Sequence, residues 1–290
     1  MLGQIKPYLQ KMLSRAGIHQ RLKASCVYEL YWSLADRSII ERARQEVHFY
    51  RNVLMGFRRG CLVFDVGANH GSKTDIFLRL GAHVVAVDPD RTNQEILKEK
   101  FLKYRLSQKP VEIVGKAVSD KEGVETMWID EPGSATNTLS QKWVETLKHD
   151  DQRFTRRHNF GEQRTVETTT LDQLIRAHGS PFFIKIDVEG HEPNVLRGLR
   201  CAVPYLSFEV NLPEFMSEGQ ECVEILGRLA SDGKFNYVTG EYQQGLALQH
   251  WLAAREFSRA LAQCREKSIE VFWKTPLSGS GGPAFGGAKN

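Results

Sequence analysis

Cys61-Leu62-Val63-Phe64-Asp65-Val66-Gly67-Ala68-Asn69-His70-Gly71 is the stretch on which the fold turns. Residues 61–66 are a short apolar run closed by a glycine-rich turn, the pattern of a strand buried on both faces. Residues 74–80 then read as a helix with Ile76, Phe77 and Leu80 on one side and Gly81 as its stop. His83-Val84-Val85-Ala86-Val87-Asp88 is a second buried strand, ended by Pro89. Residues 91–106 are expected to form a helix with Ile96, Leu97, Phe101 and Leu102 inward, and residues 111–114 with 116–118 a third strand. Strand, helix, strand, helix, strand at this spacing is a βαβαβ unit, so the fold class is α/β on a Rossmann-like, mostly parallel sheet.

Outward from this unit the rhythm first breaks. Residues 124–129 and 165–169 alternate like strands around a polar insertion with a helix near 140–148. Thr170-Leu171-Asp172-Gln173 resembles a capping box opening a helix. Phe182-Phe183-Ile184-Lys185-Ile186-Asp187 is a fourth core strand. Pro193 suits the first turn of a helix that carries Val195, Leu196 and Leu199. A fifth strand at 205–210, a helix at 221–230, a strand near 235–239, a helical insertion near 247–264 and a last strand at 268–273 follow. Upstream, residues 4–55 show helical spacing (Leu9, Met12, Leu13; Val27, Leu30, Tyr31, Leu34) and are expected to cap the main body. The expected organisation is an N-terminal helical extension over 1–57, a main domain over 58–275 and a Gly/Ser/Pro/Ala-rich disordered tail over 276–290.

Composition fits a soluble globular chain: 41% apolar and 26% charged over 290 residues. The five cysteines are scattered and form no C-x-x-C pair, which points to a reducing compartment. No apolar run approaches the roughly 18–20 residues that span a bilayer, and no signal-peptide pattern opens the chain, so a cytoplasmic location is expected. Net charge is +4, yet residues 1–59 alone carry eleven Lys/Arg against four acids. Such a segment can contact an anionic surface, or simply be a solvated helical face.

The chemistry gathers at three places. In Asp65-x-Gly67-x-x-x-Gly71 the two glycines let backbone N–H groups approach a ligand, with a helix N-terminus behind them. Asp65 and Asn69 complete that loop as polar partners. Asp88 ends the second strand 17 residues after Gly71, where a doubly wound sheet holds ribose hydroxyls. The third place is Lys185-Ile186-Asp187-Val188-Glu189-Gly190-His191-Glu192, with ionisable groups at a sheet's ligand-binding edge. There Glu192, beside Pro193, reads as a helix N-terminal acid. Other readings of the glycine loop fit less well. Dinucleotide binding wants a glycine where Asn69 stands, and a phosphate-binding P-loop ending in Lys73-Thr74 wants one where Ser72 stands. A ligand-free strand–helix turn leaves Asp88 unexplained.

These blocks, with Ala117-Val118-Ser119-Asp120 and Thr169-Thr170-Leu171-Asp172 between them, resemble the FkbM-type methyltransferases over about residues 61–210. The resemblance implies a class I methyltransferase fold, S-adenosylmethionine as methyl donor and O-methylation of a sugar, glycan or natural product. Asp88 stands where the family more often has Glu; both can hold ribose hydroxyls. Residues 1–55, most of 141–164 and 240–266 match no family pattern and are expected to shape the acceptor site. On this reading Asp65, Gly67, Asn69, Gly71 and Asp88 bind the cofactor, with Ser119 and Asp120 beside its adenine. A hydroxyl acceptor needs a base, for which Asp187 and His191 are candidates, and Glu209 at the end of the fifth strand can orient the acceptor. Asp187, Glu189 and Glu209 could instead ligate Mg²⁺. Arg153, Phe154, Arg156, Arg157, His158, Phe160 and Arg164 form a basic–aromatic insertion suited to an anionic or sugar-like acceptor, with no nucleic-acid-binding module. The competing class is a non-catalytic cofactor-binding protein that docks on a membrane or polyanion through residues 1–59.

Overall fold

A computed structural model of the chain describes residues 37–102, 104, 111–149, 158–240 and 242–276. Helix α1 (Arg37–Val53) leads into β1 (Leu62–Val66), α2 (Ser72–Leu80), β2 (His83–Val87), α3 (Arg91–Lys100) and β3 (Val111–Val114), the βαβαβ unit read from the sequence. β4 (Ala117–Val118), β5 (Gly123–Ile129), α4 (Gln141–His149) and β6 (Glu162–Thr169) follow. Then come α5 (Leu171–His178), β7 (Phe183–Ile186), α6 (Glu192–Arg197), β8 (Tyr205–Asn211) and α7 (Met216–Leu229). β9 (Lys234–Val238), β10 (Leu252–Ala253), α8 (Ala254–Ala262) and β11 (Ser268–Lys274) close the described chain.

The main sheet has eight strands in the order β10-β9-β11-β8-β7-β1-β2-β3. β1–β2, β2–β3, β1–β7 and β7–β8 pair in parallel, while β11 runs antiparallel to both β8 and β9. This is the mostly parallel, Rossmann-like sheet that the apolar runs predict. From β1 the chain winds outward to β3, then returns to β7 on the opposite side of β1. The order reverses there, so the carboxyl ends of β1 and β7 open the crevice where such sheets take ligands.

Alternation along the buried strands feeds two cores. Phe64 and Val66 of β1 join Ile184, Ile186, Leu206 and Phe208 on one face. Val63, Phe183 and Tyr205 pack on the other with Phe49, Tyr50 and Val53 of α1 and Leu54 just after it. The Tyr50 ring lies 5.1 Å from that of Phe77 and 5.7 Å from that of Phe183. α1 therefore belongs to the core; the earlier helices expected within residues 4–36, and nearly all of the 276–290 tail, lie outside the described residues. No helix among the described residues is long and apolar enough to cross a membrane.

Four details depart from the sequence reading. The third strand stops at Val114; Ala117 and Val118 instead pair with Thr168 and Thr169, in a second sheet ordered β4-β6-β5. Apolar alternation marked these residues as strand but could not tell which edge takes them. Leu102, expected inward, is 50% exposed, because helix α3 already ends at Lys100. α7 begins at Met216, not near 221; no side chain caps its first turn, so the start carries no sequence signal. The capping box at Thr170 is half made. Its hydroxyl accepts from the Gln173 N–H at 3.1 Å, while the Gln173 side chain donates to Glu122.

Candidate active site

The crevice at the strand ends is lined by Gly67 and Asn69 after β1, Asp88 to Asp90 and Asn93 after β2, and Lys116 to Val118 after β3. Asp187 to Glu189 and His191 follow β7 on the other side. The loop between β5 and α4 lies across it, contributing Ser134, Ala135 and Asn137 to Leu139. That loop leaves about 60 Å³ of open space. It is fastened at Asp90, whose carboxylate accepts from the Gly133 N–H and the Asn137 side chain, each at 2.9 Å. A larger recess of about 1090 Å³ runs between α1 and residues 242–251. It holds none of the site residues read from the sequence and lies away from the reversal of strand order.

Asp88 is 6% exposed and accepts three hydrogen bonds from the protein. One oxygen accepts from the Asn69 N–H at 2.8 Å; the other accepts from the Asp90 N–H at 2.9 Å and the Asn93 side-chain amide at 3.1 Å. Burial raises its pKa to about 6 against these three bonds, which favour the charged form. Asn69 reaches this position through a left-handed backbone turn (φ 47°). Gly67 is obligatory for a different reason. A Cβ there would stand 1.8 Å from the Asp187 carbonyl oxygen, so the two loops can touch only through a bare Cα.

Asp65 does not line the crevice. It is 1% exposed beneath α2, accepts from the Thr74 hydroxyl at 2.5 Å, and pairs in register with Lys185. Burial raises its pKa, opposed by the Lys185 charge. Lys185 donates to Asp187 at 2.7 Å. Its own burial opposes the charge, but Asp187, Glu270 and Asp65 outweigh that, so it stays protonated. Asp187 in turn is held below the ordinary carboxylate range: desolvation is outweighed by Lys185 and by a hydrogen bond from Glu209. The Asp187, Glu189 and Glu209 carboxylates approach within 4.8 Å of one another. Glu209 also accepts from the Ser268 hydroxyl at 2.6 Å. Desolvation, then the Asp187 charge, lift its pKa to about 8. The same forces raise Glu189, whose backbone is left-handed (φ 55°). This donor set suits a hard cation by type, yet one positive charge, Lys185, is already fixed on it.

His191 lines the crevice but sits apart from that carboxylate group. Its ring nitrogens meet the Ser119 hydroxyl at 3.2 Å and the Asn194 side chain at 3.1 Å. Burial lowers its pKa, against Glu125 and Asp120. Ser119 is fully buried behind it, Asp120 is exposed, and neither borders the crevice; nor does Gly71. Glu192 is a helix N-terminal acid as its place beside Pro193 suggests, accepting from the Val188 N–H at 3.0 Å. Of the basic–aromatic insertion, His158 is buried against Asp130 at 3.0 Å, Phe160 is buried, and Arg164 pairs with Glu162. Arg153, Phe154, Arg156 and Arg157 lie outside the described residues. The sequence reading missed Asp90, Asn93 and the 131–139 loop; Asp90-x-x-Asn93 at a helix start was the available signal.

The P-loop alternative loses its lysine. Lys73 is turned toward α1, donating to Glu46 and, at 2.6 Å, to the Tyr242 hydroxyl. Lys73→Ala is therefore expected to cost about 1–3 kcal/mol of stability, the range for unpairing partly buried polar groups. Ligand affinity in the crevice should stay within about threefold, a change under 1 kcal/mol. Denaturant unfolding and calorimetry check the two halves; lost affinity without lost stability would restore the P-loop reading.

A family model described as the methyltransferase FkbM domain matches residues 65–236. Among solved structures, a SAM-dependent methyltransferase from Agrobacterium tumefaciens aligns at 11% identity and TM-score 0.39, over 79% of this chain and 60% of that one. The chain thus spans less than two thirds of that protein. Precorrin-6y C5,15-methyltransferase from Geobacter metallireducens aligns at 8% identity and TM-score 0.40, over 81% and 85% of the two chains. A TehB-like SAM-dependent methyltransferase from Corynebacterium glutamicum aligns at 10% identity and TM-score 0.40, over 87% and 100%. No curated protein matches in sequence.

Proposed function

The chain belongs to the FkbM methyltransferase family, and on that premise we propose that it methylates a hydroxyl of a sugar, glycan or natural product with S-adenosylmethionine as donor. The observation that carries the reading is the crevice at the strand reversal, with Asp88 at its edge and a carboxylate group at Asp187. Gly67, Asn69 and Asp88 are the residues that hold the cofactor. Asp65 and Ser119 support it from behind: Asp65 braces α2 and Lys185, and Ser119 fixes His191. When bound, the cofactor supplies an electrophilic methyl group on sulfur. A nucleoside needs several times the open volume present, since small-molecule pockets run to about 300–1,000 Å³. The 131–139 loop, which lies across the crevice, is the segment that has to shift to make that room.

The rest of the chemistry belongs to the acceptor oxygen. Asp187 and Glu209 share a hydrogen bond and behave as one titrating pair, with Lys185 fixing the negative charge on Asp187. Glu209, lifted to about 8, is the stronger base of the two when ionised. Asp187 faces the crevice, while Glu209 borders a recess beside it with Gly190 and Glu192; we assign the acceptor's proton to this pair, with Glu209 as the group that finally holds it and Asp187 as the charged partner at the acceptor. His191, neutral and tied to Ser119, positions the crevice wall. Incubating the full chain with methyl-labelled donor and a panel of hydroxylated acceptors tests the reaction. Transfer to an oxygen is expected; transfer confined to nitrogen or carbon acceptors would contradict it.

Cofactor affinity should depend on pH with a defined sign. Hydroxyl donors favour the ionised form of Asp88, so binding lowers its pKa below the free value of about 6 and releases a proton. S-adenosylhomocysteine affinity is then expected to rise about fivefold between pH 5 and pH 7, for a pKa lowered by about one unit, and to level off above. Calorimetry across that range checks it; an affinity that falls with pH would contradict the role given to Asp88.

A further inference from the structure

Asn93 is 2% exposed and lines the crevice beside Asp88. Its side-chain amide nitrogen donates to one Asp88 oxygen at 3.1 Å, which fixes which end of the amide is which, because a carboxylate can only accept. The other end, Oδ1, is buried and has no hydrogen-bond partner. A buried carbonyl oxygen without a donor is costly and rare, so each one asks for a partner. The neighbouring loop packs over that oxygen without offering it a donor, since the Gly133 N–H goes to Asp90. Gly133 has a left-handed backbone (φ 76°), and a Cβ there would press to 3.2 Å from Oδ1.

The two Asp88 oxygens offer about four acceptor positions, and three are taken by Asn69, Asp90 and Asn93. One remains, on the oxygen bonded by Asn69. A ribose presents two adjacent hydroxyls, each a donor, and Asp88 alone can take only one of them. We propose that Asn93 is the second ribose acceptor: Asp88 takes one hydroxyl and Asn93 Oδ1 the other, so the pair selects a cis-diol nucleoside over a deoxy one. This rests on the cofactor reading above and adds a specificity-determining residue to it.

The test uses the full-length chain and three probes, S-adenosylhomocysteine and its 2′-deoxy and 3′-deoxy analogues, with affinity read by calorimetry. The wild-type protein is expected to bind each deoxy analogue about tenfold more weakly, the cost of leaving one buried acceptor unpaired. In Asn93→Ala the penalty for one analogue should vanish while the penalty for the other persists through Asp88. A general loss of packing would weaken all three probes alike and leave their ratios unchanged, and that result would overturn the assignment. So would a wild-type protein indifferent to either deoxy position. A wild-type protein that binds none of the probes would overturn the cofactor reading itself, and the assignment with it.

Discussion

Glu209→Gln is expected to lower kcat by about 10²–10⁴, the span that a positioned general base contributes, and to leave S-adenosylhomocysteine affinity within about twofold. The substitution keeps the shape and an acceptor for the Ser268 hydroxyl, so the fold should persist. The charge that can take a proton is what disappears. In the wild type, kcat should rise with pH toward an apparent pKa near 8, because the base works only when ionised. In the variant that rise should flatten. His191→Ala is the control, since its ring is committed to Ser119 and Asn194. It is expected to lose less than about tenfold, because a positioning contact is worth about 1 kcal/mol. A larger loss for His191→Ala than for Glu209→Gln, measured at saturating cofactor, would move the base to His191.

Gly67→Ala is the second large effect. The added carbon would fall 1.8 Å from the Asp187 carbonyl oxygen and 2.8 Å from its carbon, both backbone atoms that no rotamer can move. The left-handed φ of 82° adds strain for any residue with a Cβ. Overpacking and strain of this kind cost about 2–6 kcal/mol together. The melting temperature should fall by about 5–15 °C, and what remains folded should bind cofactor poorly, because the two loops that form the crevice are forced apart. Gly240→Ala gives the comparison: its φ is 64° but nothing lies within 4 Å, so only the backbone strain remains, about 1–2 kcal/mol. Equal costs for the two variants would show that the contact between the β1 and β7 loops is not tight.

Much of this was legible because buried parallel strands announce themselves. The apolar runs at 61–66, 83–87 and 182–186 read as two-face-buried strands, and the acids Asp65, Asp88 and Asp187 stand at or next to their carboxyl ends. The order of those ends in space follows from short right-handed connections, so the crevice could be located before its walls were known. Side-chain direction was not legible. Asp65 faces α2 because odd positions of β1 point to the α1 side, a parity that the sequence leaves undecided until a register partner such as Lys185 is known. The pairing of Ala117 and Val118 with β6 escaped for the same reason: alternation marks a strand without naming its neighbour. The loop over the crevice was illegible too. Asn137 and Gly133 reach Asp90 across more than forty residues of sequence, a contact with no periodic signature.

On the proposed reading the crevice between Gly67, Asn69 and Asp88 takes an adenosyl methyl donor, and titration calorimetry of the full chain with S-adenosylhomocysteine measures that uptake. Saturable uptake of one molecule per chain is expected, lost when Asp88 is replaced by Leu in a variant that still unfolds cooperatively. A cooperatively folded wild-type protein that takes up none, across pH 6 to 8, would contradict it.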